Sequence, residues 1–563
     1  MLIKEVENSV ARFLGIGSFL ITISLWTGAG TDPVNVTKLW LTGGVAFSTF
    51  AIVLKFGGRE SIKENGWLLI AATCFLMAVM NSVVFSGAPI AQTIFGVYGR
   101  NTGALTYFLL TLMMITAANI RSRNNLKVVL YSLLGAGILN VIYCGWVLVF
   151  GDFIPWNNPY GSILGTLGNP DFISAFLGLF IAVVCSFMPD KNISLKTKII
   201  GLLVSSIALI EIVKSHAIQG LVVTAGGIVI VGFYVIRDKF KASWVQFLYL
   251  TFVLVLGSIS ILGTLQKGPF SFVYKKSVSL RGSYWHAGLE MGKAHPFTGV
   301  GMDSYGDWYR ATRPAVALFD TPPVTVVSNV SHNVVIDFFA FGGVPLLLSY
   351  IGILTIGVYA IVKSLIKFKK YDSVLVGLIS IWACYQVQSF ISINQIGLAI
   401  WGWISTGALF AYSKFHVSPD SESKSSTKKL NNKMGVISPG LVGGLGLILG
   451  LIVALPPMNS DFKWRAALDS RNLAILEESL KPSLFNPSSS NKYNQAAVTL
   501  LNSKLNDLAL KYSLIAVDFN PNNSDSWKLI YSNPNATNSQ KSLALTNAKR
   551  LDPNNPDPFG LKQ

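Results

Sequence analysis

Two groups of residues in the second half of this 563-residue chain have the types and spacing of a reaction site. The first runs Leu280-Arg281-Gly282-Ser283-Tyr284-Trp285-His286, continues through Glu290 and Lys293, and ends His295-Pro296-Phe297-Thr298-Gly299-Val300-Gly301-Met302-Asp303. The second is Ser331-His332-Asn333, followed by Gly342-Gly343. A guanidinium fits phosphate oxygens through two parallel donors, and it serves equally as an interfacial anchor that snorkels to headgroups. An imidazole titrates near pH 6.5 and suits proton transfer, while an Asn beside it suits helix capping. The Gly299-Val300-Gly301 turn lets the backbone pass close to a ligand or to another element. Arg100 stands in a segment otherwise free of charge and has the same two readings, phosphate contact or structure. His286 and His295 flank a predicted short surface helix, with Trp285, Leu289 and Met291 as its apolar stripe, and read as structural.

Other chemistries lack their residues. The five histidines are scattered, HExxH is absent, and Asp303, Asp307 and Asp337 form no Asp-x-Asp pair, so neither a metal nor another cofactor is expected. Neither a P-loop nor a dinucleotide fingerprint occurs. Any bond made here must draw on a substrate that arrives activated.

The elements that hold these residues are apolar. Hydrophobic residues make up 51% of the chain and charged ones only 13%, with a mean hydropathy of +0.50; a soluble domain carries about 25% charged residues. The pattern predicts an all-α, polytopic transmembrane helical bundle with spans near 10–29, 38–57, 66–85, 103–120, 128–149, 171–188, 197–213, 217–236, 243–264, 333–362, 373–393, 397–413 and 436–456. The segment 397–413 is short enough to be re-entrant, and only Lys214-Ser215-His216 separates two of the spans. The first run, Phe13 to Ala29, has no small-residue cleavage site and reads as a retained anchor.

The net charge of +18 does not point to nucleic acid, because basic residues gather in alternate short loops. Groups such as Lys55, Arg59 and Lys63, or Lys363, Lys367, Lys369 and Lys370, fall on one side, while the short loops of the other side hold only Lys38, Arg100 and Lys214. This asymmetry predicts about thirteen spans in a plasma (inner) membrane, with a cytoplasmic N-terminus and an outer C-terminus. The four cysteines lie in apolar runs and read as buried thiols.

The expected organisation is a membrane domain 1–413 with a large outer loop 265–332, a cytoplasmic Ser/Lys-rich linker 414–435, an added span 436–456 and an extracytoplasmic tail 457–563. In the tail, Phe485-Asn486-Pro487, Phe519-Asn520-Pro521 and Leu551-Asp552-Pro553 recur at spacings of 34 and 32. Leu508, Tyr512 and Ala516 share a helical face, as do Leu543, Ala548 and Leu551. That period resembles tetratricopeptide repeats, which predicts a helical-repeat domain that binds or positions a protein partner.

Over roughly residues 60–410 the sequence resembles the O-antigen ligase and polymerase family of lipid-linked glycan transferases. The resemblance rests first on Arg281 through Asp303 and on His332-Asn333 with Gly342-Gly343. Weaker pieces are Phe95-Gly96-x-x-Gly99-Arg100-Asn101-x-Gly103, Leu167-Gly168-Asn169-Pro170-Asp171, and Gln388-Ser389 with Asn394. It implies a GT-C-like bundle that moves a glycan from a polyprenyl-pyrophosphate carrier to the hydroxyl of a lipid, polysaccharide or protein acceptor at the outer leaflet. In that reaction Arg281 would hold the pyrophosphate and His332 would orient or deprotonate the acceptor. Arg100, Trp285 and Asn333 are further candidates for substrate contact. Family members often carry a second arginine in a middle-helix stretch that here reads Ile212 to Gly220 and has none. Lys214, His216, Arg310 and Arg313 are the candidates for its part. A transporter of a small anion or of a lipid-linked intermediate, a protein O-oligosaccharyltransferase, and a scaffold working through its tail are the competing readings. The first lacks support from ionisable residues deep in the spans, and thirteen spans exceed what a scaffold's anchor requires.

Overall fold

A computed structural model describes residues 4–269, 271, 276–319, 327–415, 437–487 and 489–559. The expected linker 414–435 falls almost wholly outside them, as do residues 270, 272–275 and 320–326 of the large loop. Every regular element among the described residues is helical. In chain order they are α1 (Lys4–Ile23), α2 (Asn35–Glu64), α3 (Gly66–Phe85), α4 (Ile90–Phe95), α5 (Ala104–Ala117), α6 (Arg123–Phe150), α7 (Pro170–Phe187) and α8 (Leu195–Lys214). Then follow α9 (Ile218–Lys239), α10 (Ser243–Thr264), α11 (Lys276–Ala294), α12 (Tyr305–Thr312), α13 (Val334–Lys367), α14 (Ser373–Ser389), α15 (Ile396–Phe415) and α16 (Pro439–Val453). The tail holds α17 (Leu455–Ser470), α18 (Leu473–Leu480), α19 (Ser490–Asn502), α20 (Asn506–Phe519), α21 (Ser524–Ser532) and α22 (Asn538–Leu551).

Each of the thirteen expected spans falls on a helix. Nine of the described helices are long and apolar enough to cross a membrane, or ten if α16 and α17, bent by 49°, count as one. The protein is a polytopic helical membrane protein. The short helices α5 and α14 pass through the middle of the bundle, where neighbouring helices surround them. α15, expected as a possible re-entrant segment, is a continuous helix buried along its whole apolar window. α10 lies at the other extreme, packing mainly on α9, with Gly263 as its one buried residue among the described ones.

α7 packs on α9 and α14, α5 on α15 and α2, and α3 on α13. The added helix α16 lies along α2 through Gly443, Gly446 and Gly450, so close that a Cβ on Gly446 would stand 2.7 Å from the Phe47 carbonyl oxygen. Small residues in such a stripe let two backbones approach where lipid supplies no hydrophobic drive. Cys144 and Cys384 are buried as expected, but Cys74 is exposed on α3 and Cys185 half-exposed, because those helix faces point away from the bundle.

Lys38, expected in an outer loop, instead sits in the first turn of α2 with its side chain fully buried. Its Nζ donates to the carbonyls of Ile21, Thr22 and Ser24 at 2.9, 2.7 and 3.0 Å. These are the orphan acceptors at the C-terminal end of α1, where a cation meets the negative end of the helix dipole. At the other end of the bundle Glu7 accepts from the backbone of Arg121 and Ser122, and Arg123 pairs with Asp372 at 2.7 Å.

Beyond α16, helices α17–α22 follow one another as packed neighbours with two small cores, one around Trp464, Tyr493 and Tyr512 and one around Trp527, Ala544 and Leu551. Tyr512 and Ala516 face inward as expected, whereas Leu543 is exposed and Ala544 takes its place, since α22 presents the other edge of that face to α21. Buried side chains join positions 32 and 29 residues apart: Ser526 donates to Asn494 at 2.8 Å, and Asn494 to Asn523 at 3.1 Å.

Candidate functional site

The segment 295–301 closes on the N-terminal half of α13. Val300 and Gly301 donate their N–H groups to the carbonyls of Ala340 and Phe341 at 2.8 and 3.1 Å, and Val344 donates to Pro296 at 2.8 Å. Those bonds require α13 to break at Gly343, whose φ is +65°. Gly299 also has positive φ, and a Cβ there would run into the Phe341–Gly342 backbone. Of the two uses open to the Gly-Val-Gly turn, the close approach is therefore to another element. From α3, Ser82 donates to the Phe341 carbonyl at 2.6 Å, which fixes the kink from a second side.

α11 lies on α13 through Ala287, Gly288 and Met291 rather than through the expected Trp285–Leu289–Met291 stripe; Leu289 is exposed. Gly288 faces Ile336 and Gly292 faces Phe339, so the small residues decide which face docks. Trp285 is half-buried, with its indole N–H enclosed and unpartnered among the described residues.

His332 occupies the turn into α13 with φ of +58°, a conformation costly for a residue with a Cβ. Its neighbours enforce it. Ser331 donates both its N–H and its hydroxyl to Asp337 at 2.7 Å, and Asn333 caps α13 by accepting from Val335 and Ile336 at 3.0 and 3.2 Å. The imidazole stacks on Tyr284 with ring centroids 5.4 Å apart. Tyr284 is held in turn by Tyr305, whose hydroxyl donates to its carbonyl at 2.6 Å. Burial, then the charges of Arg281 and Arg100, push the His332 pKa down to about 4, so the ring is neutral across the physiological range.

Arg281 is half-buried on α11 and forms no ion pair with a carboxylate among the described residues; burial lowers its pKa, with Asp171 and Tyr284 acting in the opposite direction. A partly desolvated guanidinium in that position is favoured by an anion brought to it. Arg100 does have a partner. Its NH2 group lies 3.5 Å from Asp303, which is fully buried with φ of +55° and accepts from the Val97 N–H at 2.8 Å and the Thr102 hydroxyl at 3.0 Å. Asp303 thereby ties the 97–102 turn and Arg100 to the segment that shapes α13.

Arg100 also lines a cavity of about 650 Å³. Gly99, Gly168, Asn169, Asn394 and Gln395 contribute to its walls, so three segments far apart in sequence converge there. Further walls come from Thr31, Asp32, Asn35 and Trp156, and from Arg465 of the tail. The amides are held in place: Asn35 donates to the Gly99 carbonyl at 2.7 Å, Asn169 to the Tyr160 hydroxyl at 3.1 Å, and Asn394 to the Tyr107 hydroxyl at 3.1 Å.

The remaining expected residues lie elsewhere. Lys214 and His216 are exposed at the α8–α9 turn and do not line this cavity. Arg310 pairs with Asp525 of the tail at 3.2 Å, and Arg313 is buried against Asp552. Sequence reading passed over Asp303, Tyr284 and Arg465. Asp303 stands in the sequence as the end of the Arg281–Asp303 motif and as a rejected metal ligand, with nothing to mark it as the partner of Arg100; nothing in the sequence marks Arg465. Among the described residues no three His, Cys, Asp or Glu side chains gather as a metal site would need.

Residues 200–351 match the family described as O-antigen ligase. The match covers α8 through the first half of α13, including Arg281, Asp303 and His332. No curated protein matches the chain.

Proposed function

We propose, from the match of residues 200–351 to the O-antigen ligase family, that the protein moves a glycan from a polyprenyl-pyrophosphate carrier to an acceptor hydroxyl, with His332 as base and Arg281 and Arg100 as the anion clamp. At family level this is a glycan-transferring membrane enzyme. The observation that carries the finer reading is that His332 is neutral, geometrically fixed, and within the field of two guanidiniums, one of which lines the cavity.

The acceptor O–H gives its proton to the neutral imidazole as the oxygen attacks the anomeric carbon. The bond from that carbon to the pyrophosphate breaks, and its electron pair leaves on the phosphate. Arg281 and Arg100 meet the charge that develops there. The same two cations weaken His332 as a base until the pyrophosphate arrives; the bound anion then offsets them and strengthens the base when it is needed. Asn333 and Asp337 act by holding the His332 turn, and Asp303 by holding Arg100. The cavity faces away from the cytoplasm in this reading, a direction supported by the basic residues gathered in the loops at the opposite end of the bundle.

Purified protein given a polyprenyl-pyrophosphate glycan and a panel of lipid, polysaccharide and protein acceptors, with a chelator present, is expected to release the lipid pyrophosphate. Undiminished transfer by both His332→Ala and Arg281→Gln would overturn these assignments. A chelator-sensitive reaction would overturn its metal independence.

A further inference from the structure

We propose that the cavity binds an acidic sugar of the glycan and that Arg465, delivered by the tail, reads its charge; the inference rests on the glycan-transfer reading for the word glycan and goes beyond it in naming the sugar's chemistry. The wall chemistry comes first. The Trp156 indole is oriented by its N–H, which donates to Asp152 at 2.7 Å, and it shares the cavity with the side-chain amides of Asn35, Asn169 and Asn394, each fixed by a second residue. An aromatic face beside rigid amides suits a sugar ring, whose C–H face stacks while its hydroxyls bond to the amides.

The charge of the walls is uneven. Two guanidiniums, Arg100 and Arg465, line the cavity against one carboxylate, Asp32. The Asp32 Oδ1 is taken by the N–H groups of Val34 and Asn35 at 2.9 and 3.0 Å. Arg100 is committed to Asp303 at 3.5 Å. Arg465 is not comparably committed: among the described residues it meets only Asp469, through Nε at 2.8 Å in an exposed pair of the weak kind. Its two NH2 groups remain for a ligand carboxylate or phosphate.

The position of Arg465 is built. Asp461, four residues earlier and one turn back on α17, accepts from the Thr31 hydroxyl at 2.5 Å, the Asp32 N–H at 3.1 Å and the Tyr98 hydroxyl. Lys492 braces the same turn by donating to the Ser460 carbonyl and hydroxyl at 2.7 and 2.6 Å. The anchor and the cavity residue share one helix register, so docking of the tail sets Arg465 at the wall.

The test is binding to the full chain in detergent, with three probes: a galacturonic acid trimer, the neutral galactose trimer, and inorganic pyrophosphate. The protein is expected to hold the acidic trimer about tenfold more tightly than the neutral one, the size of one charge-assisted contact. Arg465→Gln should erase that preference, Arg465→Lys should keep part of it, and neither should alter pyrophosphate binding, which should fall in Arg281→Gln. Equal affinity of the wild type for both trimers overturns the proposal, as does an Arg465→Gln protein that keeps the preference. Loss of pyrophosphate binding in Arg465→Gln, with the trimer preference intact, also overturns it and makes Arg465 a carrier ligand. A trimer preference lost in Arg465→Gln, in a protein that transfers no glycan, would uphold this inference while the transfer reading failed.

Discussion

Arg313 and Asp552, 239 residues apart, meet through two hydrogen bonds of 2.9 and 2.7 Å with both side chains almost wholly buried. Asp552 occupies the position that Asn486 and Asn520 hold in the two preceding tail motifs. Asn486 turns back on its own helix end, donating to the carbonyls of Ser479 and Lys481. Asn520 donates to Asp307 of α12 at 3.0 Å, and the third position, changed to an acid, takes Arg313 just beyond that helix. The tail thus grips the large loop through two of its three Asn/Asp-Pro turns.

Breaking that grip from one side takes the bidentate carboxylate away from a buried guanidinium. Asp552→Ala is expected to cost about 3–5 kcal/mol of docking free energy, while Asp525→Ala, which removes the exposed partner of Arg310, should cost no more than about 1 kcal/mol. Limited proteolysis of the tail reads both. Equal protection of the Asp552→Ala protein and the wild type would refute the ranking.

The proton chemistry of His332 has a defined sign. Its pKa is lowered to about 4, so kcat/KM, which reports the free enzyme, should stay level as pH falls and drop only near that value. The bound pyrophosphate offsets Arg281 and Arg100, so the acid limb of kcat should lie at higher pH than that of kcat/KM. Arg281→Gln should move the kcat/KM limb upward, towards the ordinary histidine value near 6.5. Coincident limbs in all three profiles would count against His332 as the base.

The kink of α13 depends on two glycines. Gly299→Ala forces a Cβ into the Phe341–Gly342 backbone at positive φ, and Gly343→Ala does the same against Pro296. The backbone conformation alone costs about 1–3 kcal/mol, with the collision added to it. Thermal unfolding in detergent should show both variants markedly destabilised, and Gly282→Ala, where a Cβ meets nothing, near wild type.

Lys38→Met removes the donor to three carbonyls in a buried site. Hydrogen bonds to a charged group contribute about 1.5–3 kcal/mol each, so the variant should melt far lower or fail to accumulate. Lys55→Met, on the same helix with an exposed side chain, is the control and should behave as wild type.

Apolar runs are legible because lipid imposes a length on every span, and each expected run lies on a helix. That the matched stretch carries Arg281 and His332 was legible too, from the order of the residues around them. The choice of packing face on α11 was not, because it turns on Gly288 and Gly292, which a search for apolar stripes passes over. Lys38 misled for a related reason: a lysine next to a helix start counts as a loop charge until its three acceptors, contributed by the preceding helix, are seen. The partners of Arg310 and Arg313 lay more than 200 residues away, beyond the reach of any local pattern, and the convergence of Gly99, Asn169 and Asn394 required the fold itself.

The stretch that carries the family likeness, 200–351, holds Arg281 and His332, yet the cavity's walls come from residues 27–35, 99–100, 155–172, 393–395 and 465. Grafting that stretch alone into a foreign bundle would carry the proposed reactive groups without the cavity proposed to receive the sugar. In the reading proposed above, the reactive groups and the walls that receive the sugar are therefore separable parts of the chain, and a substitution in the walls can change the sugar accepted without touching Arg281 or His332.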